Sequence, residues 1–363
     1  MDITRIFGRQ RMMEKQKMRN FMIALVAVVA LGLTAVGAAI VTVDPFFHYH
    51  APLHSFPYVV DDQVDMNPGL AAHMDYDSVL LGSSMTVAFD TDWFMEDMEL
   101  KTQKLSYNGA YPKDQAIIMD KIFKAKGDSV KRVFLGIDEL NYSSDTEQTK
   151  FPPTDYLYDD NVINDVKYIW NKDVLLDYVI RPLLDRSDAS EWNRIYKPWW
   201  QPMHYNLANV RLYYEPAEEI PDTTPLEDYI AGIDANLDVN IIPYIEAHPE
   251  TEFTIFYPPY SILYWYDAYR QEQIDKIVAK YDHMTRRLLE YDNVEVYFFQ
   301  DDEDVICNFD NYADHTHYSP EVCHYMVDCM EKGDRRVTLD NLDEELDKLR
   351  TLAYEYDYAG IDL

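Results

Sequence analysis

Cysteine is scarce in this chain: Cys307, Cys323 and Cys329 are the only three in 363 residues, and their number is odd. The last two lie six apart in a stretch that reads as helical, ~9 Å along its axis, too far for an undistorted bridge. No disulfide framework is implied, and all three are expected to be small buried residues. Basic residues are also few, 32 Lys and Arg against 65 Asp and Glu. Six Lys/Arg against two Asp/Glu give the first 43 residues +4, so of the −33 on the whole chain the remainder carries −37. So acidic a remainder repels polyanions, and nucleic acid is not an expected partner. A solvated acidic surface accounts for most of this balance, and acidic walls would also favour a substrate bearing an ammonium group. Internal repeats and low-complexity tracts are missing.

Charge is absent altogether from residues 21–43, a run of 23 that spans ~35 Å as a helix, enough to cross a bilayer core. Arg5, Arg9, Arg11, Lys15, Lys17 and Arg19 precede it, against Asp2 and Glu14. The positive-inside rule then keeps residues 1–20 in the cytoplasm and exports everything after residue 43, through a membrane-proximal linker at 44–76. A cleaved signal peptide is the competing reading, because Ala35-Val36-Gly37-Ala38 offers small residues to a peptidase. Its apolar region would normally be shorter, ~7 to 15 residues.

Beyond the anchor, short apolar runs occur at 78–81, 104–107, 132–135, 252–257 and 294–299, as in buried parallel strands. Helical patterns alternate with them at 112–126, 224–248, 267–290 and 319–332. That order predicts an α/β domain over 77–363, with helices on both faces of a parallel sheet. The rhythm fails at about 141–221, which carries Pro152-Pro153 and the cluster Trp192, Trp199 and Trp200. This stretch reads as an irregular insertion. Its tryptophans, with Tyr213 and Tyr214, are either a stacking platform for sugars or the core of the lobe. The acidic helix expected at 342–356 is a peripheral cover.

In an open parallel sheet, ligands bind beyond the carboxyl ends of the strands. Gly82-Ser83-Ser84 falls at such an end, where a serine hydroxyl near a helix start has free backbone N–H groups beside it for a developing oxyanion. Serine there is equally a common N-cap. Asp314-His315-Thr316-His317 follows the last expected strand. A serine nucleophile needs a base, and the base needs a carboxylate to fix its tautomer; an Asp three residues ahead of a His supplies both from one loop. Ser84 is thus the candidate nucleophile, His317 the base and Asp314 its orienting group, with His315 as rival base.

Serine at the first strand and Asp-x-x-His at the last is the order in which the chain resembles the SGNH/GDSL hydrolase superfamily, over roughly residues 77–332. It is most similar to the membrane-anchored branch that includes the teichoic acid D-alanylation transfer protein and the alginate and peptidoglycan O-acetyltransferases. The resemblance implies a flavodoxin-like three-layer α/β/α fold and an acyltransferase or esterase that needs no cofactor or metal. It implies an acyl donor, a teichoic acid or cell-wall polysaccharide acceptor, and a membrane-bound acyl-exporting partner. Ser84 would attack and give its own N–H to the oxyanion, and Gly109, in Asn108-Gly109, would give another. Two positions depart from the family pattern. Gly-Asp-Ser is here Gly82-Ser83-Ser84, and the third block, normally Gly-x-Asn-Asp, reads Gly136-Ile137-Asp138-Glu139. An ionised Asp cannot donate. Either Asn108 or Asn141 replaces the missing donor, or the hole has fewer, at a cost of ~10² to 10³ in rate.

Tyr257 and Pro258, which end the fourth strand, and Trp265 beyond them are expected to line the site wall. His48, His50 and His54, and His73 with Asp75 and Asp77, lack the paired-Cys or His-Glu-x-x-His spacing of zinc sites, and no metal is expected there. Two other functions stay open: a non-catalytic envelope scaffold or carbohydrate-binding protein of the same fold, and a metal-dependent hydrolase using Asp314, His315 and His317.

Overall fold

The computed structural model describes residues 3–200 and 204–361. The chain divides into two compact units, Met1–Val59 with Asp155–Ala189, and Val60–Thr154 with Ser190–Leu363.

The first unit is built on helix α1, Ile3–Val43, whose segment Arg11–Val43 is long and apolar enough to cross a membrane and is mostly uncovered by protein. At its end Asp44 takes a positive φ of 49° and is fully buried. Its carboxylate accepts the backbone N–H groups of His48, Tyr49 and His50 at 3.0, 2.6 and 2.9 Å, and the Tyr168 hydroxyl at 2.9 Å. One buried carboxylate thus closes the turn that leads the chain out of the helix. His48 packs edge-on against Tyr49 and Tyr168 and lies 3.4 Å from Asp165, so neighbouring rings and a carboxylate account for it.

The second unit contains a six-stranded sheet of order β2-β1-β3-β4-β5-β6. The strands are β1 Ser78–Leu81, β2 Thr102–Lys104, β3 Arg132–Gly136, β4 Glu252–Tyr257, β5 Val294–Phe298 and β6 Arg336–Val337. The first five are parallel and β6 adds antiparallel at the edge. Order 2-1-3-4-5 is the flavodoxin-like winding, in which the sheet reverses direction between β1 and β3. Right-handed crossovers then place helices on opposite faces before and after the reversal. After α2 (Gln63–His73), α3 (Thr91–Met98) links β1 to β2 and α4 (Pro112–Lys126) links β2 to β3. Later come α5 (Leu226–Asn236), α6 (Ile242–Ala247), α7 (Ile262–Arg270), α8 (Ile274–Leu288), α9 (Pro320–Lys332) and α10 (Leu342–Glu355). Helix α3 packs on α9, whereas α4 packs on α2 and α8 on α5 and α10, the pairings this winding demands.

The alternating pattern locates these elements closely, with three instructive shifts. Residues 104–107 do not form a regular strand, because β2 ends at Lys104; even so, Leu105 and Tyr107 donate to Leu80 and Gly82 carbonyls at 2.9 Å, prolonging the pairing irregularly. The helix expected over 224–248 is interrupted by a π turn at Leu237–Ile241, because Pro243 has no N–H with which to continue the α ladder. The helix expected over 267–290 starts earlier, at Ile262, and breaks after Arg270, where Glu272 adopts φ 53°. Strand β6, two residues long, offers no periodicity to read.

Beneath the strand ends, Lys280 of α8 and Glu139 pair at 2.5 Å with side chains 5% and 0% exposed, and the Tyr264 hydroxyl donates to the same carboxylate at 2.7 Å. All three cysteines are free; Cys323 and Cys329 are buried and Cys307 partly so.

Candidate active site

Strand β1 ends in Gly82, at φ 153°, where a Cβ would lie 2.5 Å from Thr86 Cγ2. A side chain there would drive the strand out of the tight turn that follows. That turn is a single 3-10 turn, Ser84–Thr86, capped by the Ser83 hydroxyl on the Met85 N–H at 3.2 Å. The helix start expected at the serine is this one turn, and Ser83, not Ser84, does the capping. The Ser84 hydroxyl is left to meet His317 Nε2 at 2.9 Å. His317 Nδ1 lies 2.7 Å from Asp314 Oδ2, and Asp314 Oδ1 accepts the N–H groups of Thr316 and His317, both at 2.8 Å. Burial alone would raise the Asp314 carboxyl, but the His317 ring and these two N–H groups outweigh it and hold the pKa at about 2.

Several residues that the sequence did not single out fix this geometry. The 311–319 loop closes on itself through the Tyr312–Tyr318 bridge and the Ala313 N–H on the His317 carbonyl at 2.9 Å. It is tied outward by Tyr312 to the Pro259 carbonyl at 3.1 Å, Ser261 to the His315 carbonyl at 2.7 Å and Asn209 to the Ala313 carbonyl at 2.7 Å. Most directly, the buried Tyr318 hydroxyl donates to the Met85 carbonyl at 2.5 Å, so the residue after the histidine grips the residue after the serine. From the other side Lys104, 1% exposed, donates to the Val87 and Phe89 carbonyls at 2.7 Å each, and burial lowers its pKa to about 7. Only Tyr318 carried any signal in the sequence, by its adjacency to the Asp-x-x-His loop.

Gly109 sits at φ 68° in a turn closed by Ala110 N–H on the Tyr107 carbonyl, and neither its N–H nor that of Ser84 bonds to another described residue. Asn108 is engaged by Gln63, its N–H on Gln63 Oε1 at 2.8 Å and its side-chain oxygen facing Gln63 Nε2 at 3.4 Å. Asn141 donates to the Ala110 carbonyl at 2.9 Å and so braces the same turn. Asp138 is buried at the end of β3, where it accepts from the Tyr260 hydroxyl and bonds Ser83. Burial pushes its carboxyl up, against the pull of Ser83, Tyr260 and His317.

The aromatic wall is not where the sequence put it. Tyr257 and Trp265 are 0% exposed: Tyr257 packs on Tyr281 and Phe298, Trp265 packs on Tyr264 and donates its Nε1–H to Gln300 at 3.3 Å, and Pro258 is buried with them, its carbonyl accepting from Gln300. With no free surface they cannot touch a ligand. Trp199 is the tryptophan with free surface beside the site, and Trp200 packs beneath it against the histidine. Trp200, 1% exposed, lies over the His317 ring at 4.2 Å, and Trp199, 54% exposed, meets it edge-on at 5.3 Å. His315, the rival base, faces Tyr214 at 5.5 Å, and burial lowers its pKa. Among the described residues, the group that brings three potential metal-ligand atoms within 4.8 Å of one another is Asp97, His324 and Asp328, which shares no member with the Asp314 loop. Asp75 and Asp77 pair with Lys101 and Lys131.

The acid sensitivity of the Asp314 loop follows from its pKa. Folded Asp314 titrates below the ~3.9 of an unfolded aspartate, so its contribution is full above that value and is lost as pH falls from ~4 to ~2, about 2 kcal/mol in all. Urea unfolding between pH 5 and 2 is expected to show this loss in the unaltered chain and a shallower decline in Asp314→Asn.

No protein-family profile and no curated protein matches the chain. Among solved structures it is similar to one described as "a putative platelet activating factor from Streptococcus pneumonia". The likeness has 12% identity and a TM-score of 0.40, and covers 75% of this chain and 90% of that one, too remote to bear on function.

Proposed function

We propose that the protein is a membrane-anchored serine acyltransferase or esterase of the SGNH type, its main domain outside the cytoplasm and acting on a cell-envelope polymer. The observation that carries this reading is the unbroken relay from Ser84 Oγ to His317 Nε2 and from His317 Nδ1 to Asp314. In the first half-reaction Ser84 Oγ attacks the carbonyl carbon of an acyl ester or thioester while its proton passes to His317 Nε2. The resulting oxyanion is received by the N–H groups of Ser84 and Gly109. Collapse breaks the bond to the leaving alcohol or thiol, which takes the proton from His317 and leaves an acyl ester on Ser84. A polymer hydroxyl or water then repeats the sequence in reverse. Trp199, exposed beside the imidazole, offers its ring face to the acceptor. The charge asymmetry around residues 21–43 supports the stated orientation.

Fluorophosphonate labelling tests the reading, since the reagent phosphonylates a serine activated by its histidine. One adduct on Ser84, lost in His317→Ala, is expected by peptide mass spectrometry. A folded protein that takes no label would point to the non-catalytic scaffold and overturn the proposal.

A further inference from the structure

The unit formed by Met1–Val59 and Asp155–Ala189 brings a second apolar element against the candidate membrane helix. Trp170 Nε1 donates to the Leu33 carbonyl at 2.9 Å, and a Cβ on Gly37 would lie 3.0 Å from Ile169 Cγ2 and 3.4 Å from Trp170 Nε1. Leu33 and Gly37 precede Val43 by ten and six residues, ~15 and ~9 Å along the helix. Trp170 therefore meets α1 inside the C-terminal half of its uncharged run, not at its end. The π-helix Val174–Ile180 packs on α1 as well and continues into the helical turn Arg181–Leu184.

These short helices carry large apolar side chains on their exposed side as well as on their buried one. Tyr168, Val174, Val179 and Pro182 face inward and are buried, while Val166, Trp170, Leu176, Ile180, Leu183 and Leu184 are exposed, Leu184 to 83%. A water-facing helix keeps its outer side polar, and one that is apolar all round belongs in a core or in lipid. The exposed charges of the stretch, Lys167, Lys172, Asp173, Asp177 and Arg181, suit the headgroup level of a bilayer, where long side chains reach the water. The depth fixed by Leu33 and Gly37 selects lipid as the occupant.

Resting on the reading of α1 as a membrane span, we infer that residues 162–184 form a foot inserted into the leaflet around the C-terminal half of α1, with acyl chains covering its outer face. The chain would then hold the bilayer at two points, a transmembrane helix and an interfacial foot beside it.

The full chain, with Cys307, Cys323 and Cys329 replaced by alanine, would be reconstituted into phosphatidylglycerol–phosphatidylcholine vesicles. A single cysteine at Leu184 or at Leu25 would carry an environment-sensitive fluorophore, read against nitroxide-bearing lipids and aqueous iodide. The Leu184 label is expected to shift to the blue, to lose most of its emission to the lipid nitroxide and to resist iodide, as the Leu25 label does. Quenching by lipid at Leu25 but not at Leu184 overturns the foot while leaving the span intact. A Leu184 label shielded from both quenchers identifies a protein partner or a second copy as the cover, and also overturns it. Failure of the lipid to quench either label removes the span itself, and the inference with it.

Discussion

Ser84→Ala is expected to lower turnover of a small chromogenic acyl ester by ~10⁴ to 10⁶-fold, the loss seen when a hydrogen-bonded Ser-His-Asp unit is deprived of its nucleophile. Its thermal unfolding should match that of the unaltered protein, because the cap of the Ser84–Thr86 turn is the Ser83 hydroxyl and, among the described residues, the Ser84 side chain bonds only to His317. His317→Ala should cost about as much as Ser84→Ala, and the double variant little more, since the residues act as one unit. Residual activity within tenfold of the unaltered protein would remove Ser84 from the chemistry.

Lys280→Met is expected to have the largest effect on stability, a loss of ~3 to 5 kcal/mol in urea unfolding. Glu139 is fully buried, and without Lys280 it keeps, among the described residues, only the Tyr264 hydroxyl as a neutral partner. Most of the penalty arises from the charge left behind, not from the lost attraction. The double variant Lys280→Met/Glu139→Gln should therefore recover much of the loss, because a neutral amide can still accept from Tyr264. A single variant as stable as the original would mean that water reaches Glu139. Glu139 directly follows Asp138, so destabilised single variants should also lose catalytic activity before they lose the fold.

The relay was legible in sequence for a physical reason. An Asp and a His three apart in one loop carry their own geometry, and a serine after a short apolar run is placed by the strand that precedes it. The wall was not legible. Tyr257 and Pro258 occupy the strand end that the pattern pointed to and Trp265 the helix after it, yet the residues that touch His317 are Trp199 and Trp200, more than a hundred positions before that histidine. Aromatic side chains look alike in sequence whether they face a core or a cleft, and only the path of the irregular 190–200 segment separates the two. The Asp138 departure is similar: the sequence shows a carboxyl where an amide is usual, and the fold shows it tied to Tyr260 and Ser83.

By itself the sequence determined the alternation of strand and helix, the uncharged run long enough for a bilayer, and the order Ser, Gly, Asp-x-x-His, all properties of residues near one another along the chain. The tertiary structure decided that the strands wind in the order 2-1-3-4-5 and that the 311–319 loop after β5 reaches back to the turn after β1, bringing His317 to Ser84. It also decided which tryptophans cover the histidine, which tyrosine ties the two loops together, and that residues 155–189 pack against the N-terminal helix. Contacts between residues far apart in the chain depend on packing summed over the whole fold, and no local pattern encodes them.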